Sequence, residues 1–160
     1  MTLWNVMYQD WQMECCGEPF GVGDEVAWQL LVDEAVCGDA AWTGELAEIS
    51  GAVESAGGGP VVRTGGVTVP WTGGGRSWPP RAVLTGLLSV ERHGGKWPRT
   101  VGRVRTVHVV SQGFADGLPV AGERWLRGVP ACPKWFEWGE PDGRGYRRDE
   151  TGVLVSLEVD

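Results

Sequence analysis

The stretch "RAVLTGLLSVERHGGKWPRTVGRVRTVHVVSQ", residues 81–112, decides the fold class. Two apolar segments, 81–93 and 100–112, flank the turn-forming "GGKWPR" of 94–99, and this predicts a β-hairpin. In the second segment strict alternation puts Val104, Thr106, His108 and Val110 on one side. It puts Arg103, Arg105, Val107 and Val109 on the other. Such mixed faces fit a strand buried on both sides at one end and wet at the other, as in a small curved barrel.

Working outward, "TLWNVMY" (2–8) alternates with Trp4, Val6 and Tyr8 on one side. "EVAWQLLV" (25–32) does the same with Val26, Trp28, Leu30 and Val32. "GVLVSLEV" (152–159) turns Val153, Val155, Leu157 and Val159 inward and ties the C-terminus into the sheet. Residues 10–24 connect the first two strands, with Gly23-Asp24 as turn chemistry. Residues 39–50 read as a short helix, with Asp39 as N-cap and Trp42, Leu46 and Ile49 at helical spacing. Residues 51–80 are punctuated by Gly and Pro and read as a flexible loop or insertion, with room for one short strand pair around 61–69. The sum is one mainly β domain over 1–160: a small antiparallel barrel or barrel-like sandwich with at most one or two short helices. No internal repeat appears, and neither "GGGP" nor "TGGGRS" has the spacing of a phosphate-cradling loop.

A chain of 160 residues needs no metal or disulfide merely to reach stability. Its start lacks the pattern of a secretory signal, and no apolar run approaches the roughly 20 residues of a membrane span, so the cytoplasm is expected and a membrane partner is not. Four cysteines are accordingly expected as reduced thiols. Ten tryptophans are too much aromatic area to leave wet, so several belong in the core. The net charge of −7 divides unevenly: residues 1–60 carry −11 and residues 61–160 carry +4. Either the two parts neutralise one another within the domain, or they form an acidic and a basic face.

"DWQMECCGEPFGVGDEVAW", residues 10–28, holds the most conspicuous chemistry. A zinc site is ordinarily seeded by Cys-x-x-Cys or His-x-x-x-His, and neither is present; adjacent side chains on an extended backbone diverge. A Cys15–Cys16 disulfide is disfavoured in a reducing compartment. A cysteine nucleophile with His93 or His108 as base can be assembled on paper, but the pattern has little specificity. Asp10, Glu14 and Glu18 are spaced four apart, yet Cys-Cys-Gly and Glu-Pro are expected to break a helix there, leaving solvated loop carboxylates. The stretch therefore reads as a structural corner made by Trp11, Cys15, Cys16, Gly17, Phe20 and Asp24, with one thiol in the core and the other near the surface. No catalytic residue, metal or cofactor is assigned.

The opening "LWNVMYQDWQMECCGEPFGVGDEVAW" and the closing "ETGVLVSLEV" resemble an uncharacterised actinobacterial domain-of-unknown-function family. Its members begin with a Trp-x-Met-x-Cys-Cys-Gly-x-Pro-Phe-x-x-Gly-Asp pattern. The resemblance implies a high-GC bacterial source, in keeping with twelve arginines against two lysines. It carries over no catalytic residue.

The remaining functional signal is electrostatic. Residues 76–105 hold seven bases against one acid, Glu91, with tryptophans interleaved. Arg92, Lys96, Trp97, Arg103, Arg105 and Trp78 are the candidate contact residues. The function expected is a non-catalytic binding module with a protein partner. Single-stranded nucleic acid is the alternative ligand, held by stacking and phosphate contacts, although a pI near 4.8 opposes nonspecific attraction to it. A cysteine- or metal-dependent enzyme is the third reading.

Overall fold

Two long strands, β8 (Thr100–Ala115) and β10 (Tyr146–Val159), form the spine of the fold in a computed structural model that describes residues 1–160. Around them lie β1 (Thr2–Gln9), helix α1 (Asp10–Cys16), β2 (Glu25–Trp28), β3 (Leu30–Asp33), β4 (Ala47–Ser55), β5 (Pro60–Thr64), β6 (Val67–Pro70), β7 (Arg81–Val90) and β9 (Leu118–Val129). All ten strands join one sheet in the order β2-β8-β10-β1-β7-β4-β5-β6, with β3 also on β7 and β9 also on β8. The mainly β, barrel-like architecture expected from the alternation is what forms.

The hairpin expected across 81–112 does not. β7 and β8 are both strands, but β10 and β1 lie between them. The N-terminal strand pairs antiparallel along its whole length with the last eight residues of β10, from Thr2↔Val159 to Gln9↔Gly152, and β1 also runs parallel to β7. Both strands are apolar on two faces. Val6, Tyr8, Val153, Val155 and Leu157 enter the main core, while Met7 and Leu154 enter a second cluster under Trp42. Burial on both faces demands a central position, and at roughly 1.5–3 kcal/mol for each large apolar side chain this outweighs the local turn signal.

The single strand expected over 25–32 is broken at Gln29 into two strands with different partners. β2 pairs with β8 and β3 pairs with β7, and only Gln29 separates them, so one kinked segment touches two strands far apart in the sheet order. A Cβ at Gly86 on β7 would clash with the Asp33 carbonyl oxygen, so β3 closes against β7 only over a glycine. β4 takes over from β3 along β7, Asp33↔Leu87 being followed by Ala47↔Gly86. The alternation expected for β8 is interrupted. The register with β10 shifts between Ser156 and Leu157, leaving Arg105 as an extra residue, and Val104, Val107 and Val109 all reach the same core. A β-bulge resets the alternation by one, so the mixed faces read from sequence are two in-phase faces.

The helix expected over 39–50 is replaced by one 3-10 turn, Ala40–Glu45, which follows another at Glu34–Gly38 and leads into β4. Asp39 caps as expected, accepting a hydrogen bond from the Ala41 amide at 2.9 Å. Ile49, however, is buried from a strand, because pairing with β7 outweighs a weak local helix signal. Within 51–80, β4 continues to Ser55 and the short strand pair is β5 with β6. Of the tryptophans only Trp28 and Trp42 are buried, with Trp4 and Trp71 packed against the core; Trp135 and Trp138 are about two-thirds exposed.

Candidate functional site

The site is built from two pieces of chain, α1 and the 91–99 segment that carries β7 over to β8. Residues 10–16 are helical, against the expectation of an extended corner. Gln12 and Met13 supply a buried face. The Gly17 amide closes the last turn on the Met13 carbonyl, and Lys134 donates to the carbonyls of Met13 (2.7 Å) and Gly17 (3.0 Å). A cation on the orphan carbonyls of a helix C-terminus satisfies them and opposes the negative end of the dipole. Helical phase also gives meaning to a spacing that seemed empty: Glu14 turns toward the 130s and accepts from the Phe136 amide at 3.1 Å.

Two glutamines fasten the 91–99 segment. Gln12, almost fully buried, accepts from the Arg92 amide at 2.8 Å. Gln29 donates to the Gly95 carbonyl at 3.0 Å and accepts from the Trp97 amide at 3.3 Å, while its own carbonyl takes the Glu91 amide. The Trp97 indole N–H is spent on the Leu30 carbonyl at 2.9 Å. His93 is thereby placed over the end of α1, its amide on the Glu91 carboxylate at 2.8 Å and its ring stacked on Trp11 at 5.4 Å.

Beneath that ring lie both sulfurs of the pair. His93 Nε2 is 3.6 Å from Cys15 Sγ and 3.3 Å from Cys16 Sγ, and the two cysteines are joined as a disulfide. Three expectations are overturned here. Neither sulfur is in the core, since both residues are exposed; the pair is not two reduced thiols; and the side chains do not diverge. The extended backbone on which the side chains were expected to diverge is absent: the pair closes the C-terminal end of the helix Asp10–Cys16, on its exposed side. Of the other cysteines, Cys37 is exposed and bonds the Thr85 carbonyl, and Cys132 is buried with its thiol pushed up to about 12.

On the other side of Arg92 a cleft of about 760 Å³ opens between β2 and the 91–99 segment. Its floor holds Tyr8, Phe20 and Trp28, an aromatic triad with ring centres 4.9–5.9 Å apart. Burial raises the Tyr8 phenol above its usual range, against the opposing pull of Arg92. Arg92, Lys96 and Arg99, with Glu91 among them, line it from the 91–99 segment; Glu18, Asp24 and Glu25 line it from the segment that runs into β2. No ion pair joins any of these charges. The acidic first third and the basic middle of the sequence thus line one cleft together.

The sequence candidates disperse accordingly. Arg92 and Lys96 line the cleft; Trp97 borders a second cavity of about 340 Å³ with Trp71, Pro60 and Pro70. Arg105 lies on the outer face in a two-pronged pair with Glu158, each contact 2.8 Å, which holds the Glu158 carboxyl below its usual range. Arg103 donates to the Gly23 carbonyl at 2.9 Å, and Trp78 is a partly exposed residue lining neither cavity. Among the corner residues, Phe20 and Asp24 reach the cleft, Trp11 stacks on His93, and Gly17 is wedged against Met13 and the Tyr8 hydroxyl. His108 sits half-buried on β8. Sequence reasoning missed Tyr8, Gln12, Gln29 and Arg99. Only Arg99 carried a signal, its place in the basic run.

The chain belongs to the Family of unknown function (DUF6578), which it matches over residues 2–159. Comparison with curated proteins and with solved structures finds no match. No helix is long and apolar enough to cross a membrane.

Proposed function

We propose that the protein is a non-catalytic binding module whose cleft holds a short segment of a partner protein bearing both a positive and a negative side chain. One observation carries this reading: two unpaired sets of opposite charge lining one cleft, Arg92, Lys96 and Arg99 with Glu18, Asp24 and Glu25, over an apolar aromatic floor. Charges that do not neutralise each other across a gap are satisfied by a ligand complementary to both, and such complementarity fixes orientation and register more than raw affinity. The floor supplies the apolar contact, as in ligand clefts generally. Arg103 and Arg105 on β8, both engaged with groups of the chain itself, stand outside this surface.

The test uses synthetic peptides with a glutamate and a lysine flanking a central leucine, labelled with a fluorophore and read out by fluorescence anisotropy. Saturable binding weakened by salt, lost in the Arg92→Glu/Lys96→Glu variant and indifferent to Arg105→Glu, is the expected result. Binding of single-stranded oligonucleotides instead, abolished by Arg103→Glu/Arg105→Glu with no peptide response, overturns it in favour of nucleic acid.

A further inference from the structure

The meeting of Cys15, Cys16 and His93 lies outside that cleft, and nothing in peptide binding accounts for it. Their ligand-type atoms all fall within 4.8 Å of one another at the protein surface. In tetrahedral zinc coordination, with Zn–S near 2.3 Å and Zn–N near 2.0–2.1 Å, a sulfur and a nitrogen ligand stand about 3.5 Å apart. The two sulfur–nitrogen separations here are 3.6 and 3.3 Å. The histidine nitrogen thus stands at a ligand-to-ligand distance from both sulfurs in the disulfide form, and breaking the sulfur–sulfur bond frees the sulfurs to separate around an ion.

We propose that the reduced pair Cys15 and Cys16, with His93 Nε2, forms a redox-gated zinc site with its fourth position open to solvent. A dithiol reductant opens it: the Cys15–Cys16 bond takes up two electrons and two protons to give two thiols, while the reductant is oxidised to its own disulfide. Zn²⁺ then displaces both thiol protons, and two thiolates and a neutral imidazole bind the ion. In the disulfide form neither sulfur is anionic, so the site is closed to metal. The supports of the site are those of a ligand set held in advance. Trp11 stacks on the imidazole, the Gln12 bond to the Arg92 amide ties the histidine segment to the helix, and Lys134 closes the helix end beneath the cysteines. Two sulfurs and an imidazole select zinc among common divalent ions over magnesium or calcium, which take oxygen ligands.

The experiment titrates Zn²⁺ into the full chain, reduced with a phosphine and freed of excess reductant, against a chromophoric chelator. Expected are one zinc per chain with release of about two protons, and no binding after oxidation to the disulfide. Cys16→Ser and His93→Ala should each weaken binding at least about 10-fold, while Cys37→Ser leaves it unchanged. Co²⁺ in place of Zn²⁺ should give tetrahedral visible bands and thiolate charge-transfer absorption. That spectrum counts sulfur ligands in the unaltered protein even if a cysteine variant fails to fold. Absence of binding by the reduced chain, a cobalt spectrum without thiolate bands, or affinity that follows Cys37 instead of Cys16 overturns the proposal.

Discussion

Among the cysteines, chemistry follows burial residue by residue. Cys132 is 3% exposed and desolvation pushes its thiol from 9.0 to about 12, so on the folded chain it is a neutral, unreactive hydrophobe. Because the folded value is raised, its contribution to stability is complete below pH 9 and is lost as pH climbs toward 12. Each unit is worth about 1.4 kcal/mol, so the loss should amount to a few kcal/mol at most. Cys132→Ala should therefore flatten the alkaline decline between pH 9 and 12 in denaturant unfolding; an unaltered slope would contradict the assignment. Cys15 and Cys16, by contrast, are set apart by exposure at the helix end and a neighbouring imidazole. Their adjacency was legible in the sequence, but which histidine they meet was not, because Cys15 and His93 are 78 positions apart along the chain.

At the level of elements, alternation identified β1, β8 and β10 correctly as strands, and an apolar segment beside a turn signal did so for β7. It failed where an element is defined by its neighbours. The seven residues of α1 form too short a helix to persist alone, and they hold because Gln12 and Met13 are buried and Lys134 caps the end. β9 has no buried residue, and no periodicity marked it; it exists as an edge added to β8. Gln29 illustrates the same point from a single polar side chain at the bend between β2 and β3. Gln29→Ala removes the side-chain bonds to Gly95 and Trp97 and should cost about 1–2 kcal/mol. Hydrogen exchange should show the Trp97 amide losing protection with the strand ladders intact; unchanged protection there would mean that Gln29 does not position the site.

For the molecule as a whole, the ends of the chain are its centre. β1 and β10 pair with each other and separate β8 from β7, so the sheet cannot assemble without both. Deleting residues 146–160 should abolish the fold, seen as loss of the near-ultraviolet circular dichroism of Trp28 and Trp42. A circular permutant joining Asp160 to Met1, with new ends in 72–76, should keep it, since Thr2 already lies opposite Val159. A truncated chain that retained the native spectrum would refute this topology. By itself the sequence determined the β class, the inward faces of the terminal strands and the division of charge, because these rest on periodicity and composition, which are local or additive. Tertiary structure alone decided which strands are neighbours, that Arg92 and Lys96 line one cleft with acids, and that His93 stands over Cys15 and Cys16. Those are contacts between distant segments, set by which arrangement buries the most apolar surface around one core, and no local pattern encodes that comparison.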